Sequence, residues 1–498
     1  METTRNSYYI NRLLWLLLTL LPIAIIPFKG LPSIFVTIKA PLLSICSITI
    51  LVFLIREKTK LKGLEVKLLL LYLGFVFIAS LAAHKPLLAL SGASETAGRF
   101  EGFITLFFYA VIFIAARNHF VINRKNLFFY LTVQGVVASY SILQFYGVDP
   151  LVHYLNFRKG SYSTIGNQNF FGSYVVTLLI LSCGLYIMDR QPQTLFLCVL
   201  FFGGLLASNT RGCWLAFLTT ILFSLFLFAR KKNFLPFTTL LLVFTFVFFT
   251  MNFTRENVIK GRAMSIDKQV STDDGAGSGR VQIWKMTIDA IQENPILGTG
   301  PENLKEHFIR TNNEGFLAYC RRTGRTVDKA HSEILHIAAV SGIPAAIIFI
   351  LFLATLFWKK RRVIFNFNSS TILAMCVAVY FIQSLFNISI ITVAPLFWVL
   401  LGLFSRETLI KKLDFEVDRE TSNRPFLMDF RIFCWLITIG FLIRFFYGMF
   451  YGMNNSPYSQ YSAYIFFGAL IQVSIIPTLC WIIYFILKGI KGKKPIEI

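Results

Sequence analysis

The stretch 234-FLPFTTLLLVFTFVFFTM-251 decides the class of this chain. It holds no ionisable residue and approaches the roughly 20 residues that an α-helix needs to cross the hydrocarbon of a bilayer. Arg230, Lys231 and Lys232 stand before it, and a long polar segment comes after it. Similar apolar runs recur on either side, from Leu13 to Leu487. With 55% hydrophobic and 15% charged residues and 53 Phe, the chain is too apolar for a soluble domain, in which about a quarter of residues are charged. Mean hydropathy is +0.64.

Read by length, the runs predict spans at 13–28, 40–55, 67–83, 100–116, 127–146, 169–188, 194–208, 211–229, 234–251, 333–358, 371–388, 390–405, 430–449 and 461–487. The pairs within 194–229 and 371–405 have very short connections and read as tight hairpins or re-entrant segments. The run Leu13 to Phe28 follows Arg5 and Arg12 but has no small-residue cleavage site, so it reads as an uncleaved first helix. The expected fold is an all-α integral membrane protein of about twelve to fourteen transmembrane helices with one long, partly helical extracytoplasmic loop. The expected organisation is residues 1–251, an N-terminal bundle; 252–332, the loop; 333–405, further spans; and 406–498, a cytoplasmic linker with a last pair of spans.

The net charge of +23 does not point to nucleic acid, because the cations gather in short loops between apolar runs. With the N-terminus inside, the cytoplasmic segments hold twenty-eight Lys and Arg and the short outer loops seven. That imbalance predicts cytoplasmic termini and an extracytoplasmic loop 252–332. The loop carries twelve Lys and Arg of its own, which suits an anionic ligand. Inside it, Val281, Trp284, Ile288 and Ile291 recur at helical spacing, Pro295 with Gly298 marks a stop, and Pro301 suits the start of a second helix. The segment 271-STDDGAGSG-279 reads as a linker.

Cys46, Cys183, Cys198, Cys213, Cys376, Cys434 and Cys480 lie in or beside apolar runs, and Cys320 in the loop; no disulfide or metal spacing follows. Neither HExxH nor a Walker motif occurs, 298-GTG-300 is too short for a nucleotide loop, and His331 and His336 are five apart, so neither cofactor nor metal is expected. Only Glu101 and Glu333 lie near spans among the carboxylates, which weakens an ion-coupled transporter. Arg444 is the one base well inside a span.

The outer face collects Arg99 in 98-GRFEG-102, Arg211 in 208-SNTRG-212, Arg280 in 279-GRVQIW-284 and His331 in 330-AHSEILHIAAVSGI-343. Arginine grips a diphosphate by paired hydrogen bonds, and a neutral histidine accepts a proton from a hydroxyl. Taken singly, each has a plainer reading as an interfacial anchor or a cap. Together they suit group transfer from a diphosphate-linked donor.

At these residues the chain resembles the O-antigen ligase family, with its relatives the O-antigen polymerases and bacterial protein O-oligosaccharyltransferases. The likeness runs through 164-TIGNQNFFGSYV-175, 208-SNTRGCWLAF-217, 280-RVQIWKMTIDAIQENPILGTG-300 and 331-HSEILHIAAVSGIPA-345, with 99-RFEG-102 and 383-QSLFN-387 in support. It implies a C-type glycosyltransferase fold. It also implies transfer of a glycan from an undecaprenyl-diphosphate carrier to an acceptor hydroxyl on the outer face of a bacterial inner membrane, by ligase or polymerase action. Arg211 and Arg280 match the family's diphosphate-binding arginines and His331 its proposed base, and Arg99 matches a further family position on the substrate side. The implied partners are the carrier-linked glycan, an acceptor (lipid A-core, glycan or protein) and membrane lipid. Ser332 stands where Asn is frequent, Cys213 where a small Ala is common, and the last two spans exceed the family's usual number. Two other classes fit the same spans: a lipid-linked glycan flippase or exporter, and a structural or sensing protein whose loop binds an anionic polymer.

Overall fold

The computed structural model describes residues 5–25, 35–36, 38–92, 99–149, 160–228, 235–255, 258–262, 279–324, 326–365 and 368–406. The chain divides into two compact units, residues 1–147 with 157–415 and residues 148–156 with 416–498. Every described helix belongs to the first. The expected spans 430–449 and 461–487, with Arg444, Cys434 and Cys480, and most of the linker 271–279 lie outside the described residues.

The regular structure of the described residues is helical, with no strand among them. In chain order the helices are α1 Arg5–Ile23, α2 Lys39–Arg56, α3 Leu64–Ala82, α4 Pro86–Ser91, α5 Phe103–His119, α6 Arg124–Phe145, α7 Gln168–Asp189, α8 Pro192–Ala207, α9 Arg211–Phe228 and α10 Leu235–Thr254. After the long loop segment come α11 Arg280–Glu293, α12 Leu304–Arg310, α13 Glu314–Thr323, α14 Glu333–Ser341, α15 Ile343–Lys360, α16 Ser369–Ser384 and α17 Ala394–Phe404. Six of them (α2, α3, α6, α7, α10 and α15) are long and apolar enough to cross a membrane. Five shorter apolar helices, α5, α8, α9, α16 and α17, pack among them. This is an all-α integral membrane protein.

The outer apolar helices bury one flank and leave the other for lipid. On α10, Phe237, Leu240 and Phe244 are buried while Leu241, Leu242 and Phe246 are exposed. A soluble protein would leave such a flank as an aggregation surface, whereas hydrocarbon tolerates it. At the centre, α7 is buried over most of its length between α8 and α16, and α17 lies along α5. Trp398 of α17 meets Tyr109, Phe113, Phe349 and Phe352 with ring centroids 6.1–6.5 Å apart, so aromatic packing joins α5, α15 and α17.

Several boundaries depart from the sequence reading. The expected span 333–358 is two helices, α14 and α15, broken at Gly342. There the backbone has φ +88°, and a Cβ would come within 1.9 Å of the Ile296 carbonyl oxygen. The chain 295–300 runs against this break: Ile343 N–H donates to Pro295 O (2.8 Å), Thr299 N–H to Ala339 O (2.9 Å) and Gly300 N–H to Val340 O (2.9 Å). Tertiary hydrogen bonding thus ends a helix that hydropathy alone continues. The pair 194–229 is a tight hairpin, with α8 and α9 joined by residues 208–210. The expected span 371–388 ends at Ser384, and residues 385–393 connect it to α17.

The described part of the loop has its own core, formed by Ile283, Met286 and Ala290 of α11 with Leu304, Phe308, Phe316 and Val327, and continued by Ala339 and Val340 of α14. The buried stripe of α11 is therefore not the expected one: Val281 and Ile288 are exposed and Trp284 is half-buried. The second loop helix begins at Leu304 rather than Pro301, because residues 301–303 form a turn in which Asn303 bonds the Lys85 backbone in both directions.

Candidate functional site

Arg211 and Arg280 each open a helix. A three-residue turn delivers Arg211: Asn209 takes the left-handed conformation (φ +55°), which Asn tolerates better than most residues, and the Thr210 hydroxyl donates to Gln168 O. Arg280 follows Gly279, an N-cap with φ +80° and no side-chain cap, so the first amides of α11 are left to other acceptors. Both guanidiniums therefore stand where the helix dipole also favours an anion.

These two arginines share one electrostatic neighbourhood with a third, Arg262. Arg280 is lowered from the ordinary arginine value by burial first, with Arg211 and Arg262 adding repulsion against the raising effect of Cys213. Among the described residues no carboxylate pairs with Arg280. Arg262 was not singled out from the sequence. It is one of twelve cations in the loop and carries no motif of its own.

His331 belongs to the same neighbourhood. Its imidazole is pushed down to about 4, by burial first and then by Arg280 and Arg99, with Asp328 opposing. It is neutral at pH 7, as a general base must be. Its Nδ1 is buried without a hydrogen-bond partner. The backbone at His331 is left-handed (φ +52°), as it is at Phe100, Asn209 and Glu302. Such conformations are costly in non-glycine residues and gather at functional sites.

Arg99 meets His331 indirectly. Its Nε and Nη2 donate to the two oxygens of Asp328 at 2.5 and 3.0 Å. It also lies 5.9 Å from the Phe170 ring centroid. Burial raises the Asp328 carboxyl, but Arg99 outweighs it and the net shift is downward. Next in sequence, buried Lys329 pairs with Glu302 (3.0 Å) and Glu101 (3.8 Å). Burial depresses its amine, and the two carboxylates outweigh burial and raise it. The strap 327-VDKAH-331 is thus fastened by ion pairs on both Asp328 and Lys329, which holds His331 beside the arginines. Sequence reasoning missed Asp328, Lys329 and Glu302; the adjacency of Asp328 and Lys329 to His331 was the available signal.

The structure accordingly brings all four expected residues into one region, with Arg211, Arg280 and His331 linked through Arg280 and with Arg99 committed to Asp328. Behind the strap, a cavity of about 20 Å³ is lined by Tyr72, Glu101, Tyr109, Glu333, Tyr380 and Ser389 among others. That is room for about one water molecule. The Tyr109 hydroxyl donates to Glu101 (2.7 Å), and Ser389 N–H to Glu333 (3.1 Å). Among the described residues no cluster of three or more His, Cys, Asp or Glu suits a metal ion.

Comparison with protein families bears on this geometry. Residues 196–350 match the family described as O-antigen ligase. The O-antigen ligase resemblance holds over that segment. It contains Arg211, Arg262, Arg280 and His331, whereas Arg99 and the 383–387 motif lie beyond it. No curated protein matches the chain. The ligase-like segment, set in a bundle of apolar helices, supports a membrane glycan transferase or ligase acting on lipid-linked glycan.

Proposed function

We propose that this protein transfers an oligosaccharide or polysaccharide from an undecaprenyl-diphosphate carrier to an acceptor hydroxyl on the outer face of a bacterial inner membrane. The single observation that carries the reading is the cluster of Arg211, Arg262 and Arg280, with Arg280 acting on a neutral, half-buried His331. Like charges assembled in a partly buried region repel one another, and a dianionic diphosphate relieves that repulsion.

In this mechanism the acceptor hydroxyl attacks the anomeric carbon of the donor's first sugar. His331 takes the hydroxyl proton as the new glycosidic bond forms. The bond between the anomeric carbon and the diphosphate oxygen breaks, the carbon inverts, and undecaprenyl diphosphate leaves. Arg211, Arg262 and Arg280 hold the charge that grows on the departing diphosphate. Fixed charge of this kind is worth about 3–4 kcal/mol per donor in a well-studied hydrolase. Neither metal nor nucleotide sugar takes part. Arg99 acts on the substrate side through Asp328 and the strap that carries His331. The topology has both termini cytoplasmic, the bundle formed by residues 1–251 and 333–405, and the loop 252–332 outside. The acceptor is lipid A-core, a growing glycan or protein.

Purified protein in liposomes, given an undecaprenyl-diphosphate-linked glycan and an acceptor, tests the reading. We expect glycan on the acceptor, free carrier as second product, and unchanged turnover in the presence of a metal chelator. Carrier crossing the bilayer with its glycan linkage intact would replace transferase by flippase. Binding of an anionic polymer with no product from any glycan would favour a sensing role.

A further inference from the structure

One turn along α11 from Arg280, the indole of Trp284 is half-buried, and its Nε1–H is buried without a hydrogen-bond acceptor. An indole N–H can only donate, so an unmet one costs free energy unless something arrives to accept it. The Trp284 ring lies 6.5 Å from that of Phe386, itself half-buried. Phe386 in turn closes on the first turn of α9, its Cβ 3.3 Å from where a Cβ on Gly212 would sit. The next residue, Asn387, is 3% exposed. Its Nδ2 donates to Asn169 O (3.1 Å) and to Ser173 Oγ (2.8 Å). A carbonyl oxygen only accepts, so these bonds fix which end of the amide is which. The remaining end, Oδ1, is buried and has no donor. Ser173 also approaches Cys213 (3.9 Å), whose thiol feels the Arg280 charge.

Two aromatic faces, one unmet donor and one unmet acceptor therefore lie within a turn or a neighbour of Arg211 and Arg280. Aromatic faces suit the C–H side of a pyranose, and a polar ring substituent that both accepts and donates suits the two orphaned groups. We propose that Trp284, Phe386 and Asn387 form the subsite for the sugar bonded directly to the carrier's diphosphate, with Trp284 Nε1–H donating to that sugar and Asn387 Oδ1 accepting from it. The proposal rests on the transferase reading and adds a specificity site on its donor side. The donor side is assigned because Trp284 shares a helix face with Arg280, at i and i+4.

Binding in nanodiscs tests it with two probes: undecaprenyl diphosphate alone, and the same carrier bearing one N-acetylglucosamine. Trp284→Phe keeps an aromatic ring and removes only the N–H. Asn387→Ala removes the acceptor, and Trp284→Phe carries the test by itself if that variant fails to fold. We expect both variants to bind the bare carrier as the unaltered chain does and to lose affinity for the sugar-bearing carrier by about tenfold, the scale of one neutral hydrogen bond. Arg280→Gln should weaken both probes. Unaltered affinity of Trp284→Phe for the sugar-bearing carrier overturns the subsite. So does an equal loss on both probes, which would put Trp284 with the diphosphate instead. If the unaltered chain binds neither probe, the transferase reading itself falls, a result distinct from either of these.

Discussion

The two ends of the helical bundle differ in how they handle charge. At the end where α3 begins and α5 and α15 finish, buried Glu65 receives Arg117 (2.9 Å) and Lys359 (2.5 Å). Arg406 adds hydrogen bonds to the Ala116 and Arg117 carbonyls. Each of these charges has an opposite charge or a carbonyl against it. At the other end, Lys329, Glu101 and Glu302 are matched in the same manner, and so are Arg99 and Asp328. Beside them, Arg280 is disfavoured by burial and by the neighbouring Arg211 and Arg262, and His331 is held neutral by burial first and then by Arg280 and Arg99. The difference teaches that ion-paired charge such as Glu65 with Arg117 and Lys359 serves stability, while the proposed donor site lies where Arg280 meets other cations.

The sharpest way to break this contrast is His331→Ala. Glycan transfer by the reconstituted enzyme should fall by roughly 10²–10⁴, the usual worth of a general base, while the protein still reaches the membrane. Undiminished transfer would remove His331 from the chemistry. Arg280→Gln and Arg211→Gln should each cost about 10²–10³ in turnover, and their combination less than the product of the two if, as proposed, they hold one diphosphate. Arg262→Gln should behave alike, which would set it apart from the loop's other cations.

At the balanced end the expected effect falls on stability. Glu65→Ala leaves Arg117 and Lys359 beside an uncompensated gap, a change worth about 3–5 kcal/mol for a buried pair. Thermal unfolding in detergent should move down accordingly, with turnover per folded molecule retained. A loss of turnover without a loss of stability would blur the division between the two ends.

The smallest effect is on pH dependence. His331 drops from its ordinary 6.5 to about 4. Between those values the unfolded chain binds a proton that the folded chain refuses, so this residue's contribution to stability declines as pH falls from 6.5 towards 4. As the proposed base, His331 stays unprotonated across the same window, so the acid limb of the rate profile should have its midpoint near 4. Histidine-resolved NMR titration of Arg280→Gln should show that midpoint rising, since one of the repelling charges is gone.

Much of this is legible in the amino-acid order alone. Apolar runs give the spans because lipid demands them, and Arg211, Arg280 and His331 stand in motifs that read clearly in order. Cys46, Cys183, Cys198, Cys213 and Cys376 are buried, as their apolar surroundings indicate. What escaped the sequence depends on contacts between distant segments. Glu65 precedes the expected span 67–83, yet α3 begins at Leu64 and carries it into the interior, where α5 and α15 supply its partners. Hydropathy runs unbroken through 333–358, and only the backbone of 295–300 reveals the interruption at Gly342. The Asn387 amide lies in the quoted 383–387 motif, but its unmet oxygen emerges only from the partners of its nitrogen.

The interruption at Gly342 also governs how the segment after His331 tolerates change. Nothing in α14 can be absorbed by sliding, because its nine residues are anchored at one end by the strap and at the other by the carbonyls given to Thr299 and Gly300. Removing a single residue from Glu333–Ser341 keeps the apolar character intact but turns everything upstream by about 100° around the helix axis. His331 would then face away from the arginines. Length in this short helix thus sets the angular position of His331, and on the proposed mechanism a chain shortened there keeps its apolar spans yet loses transfer.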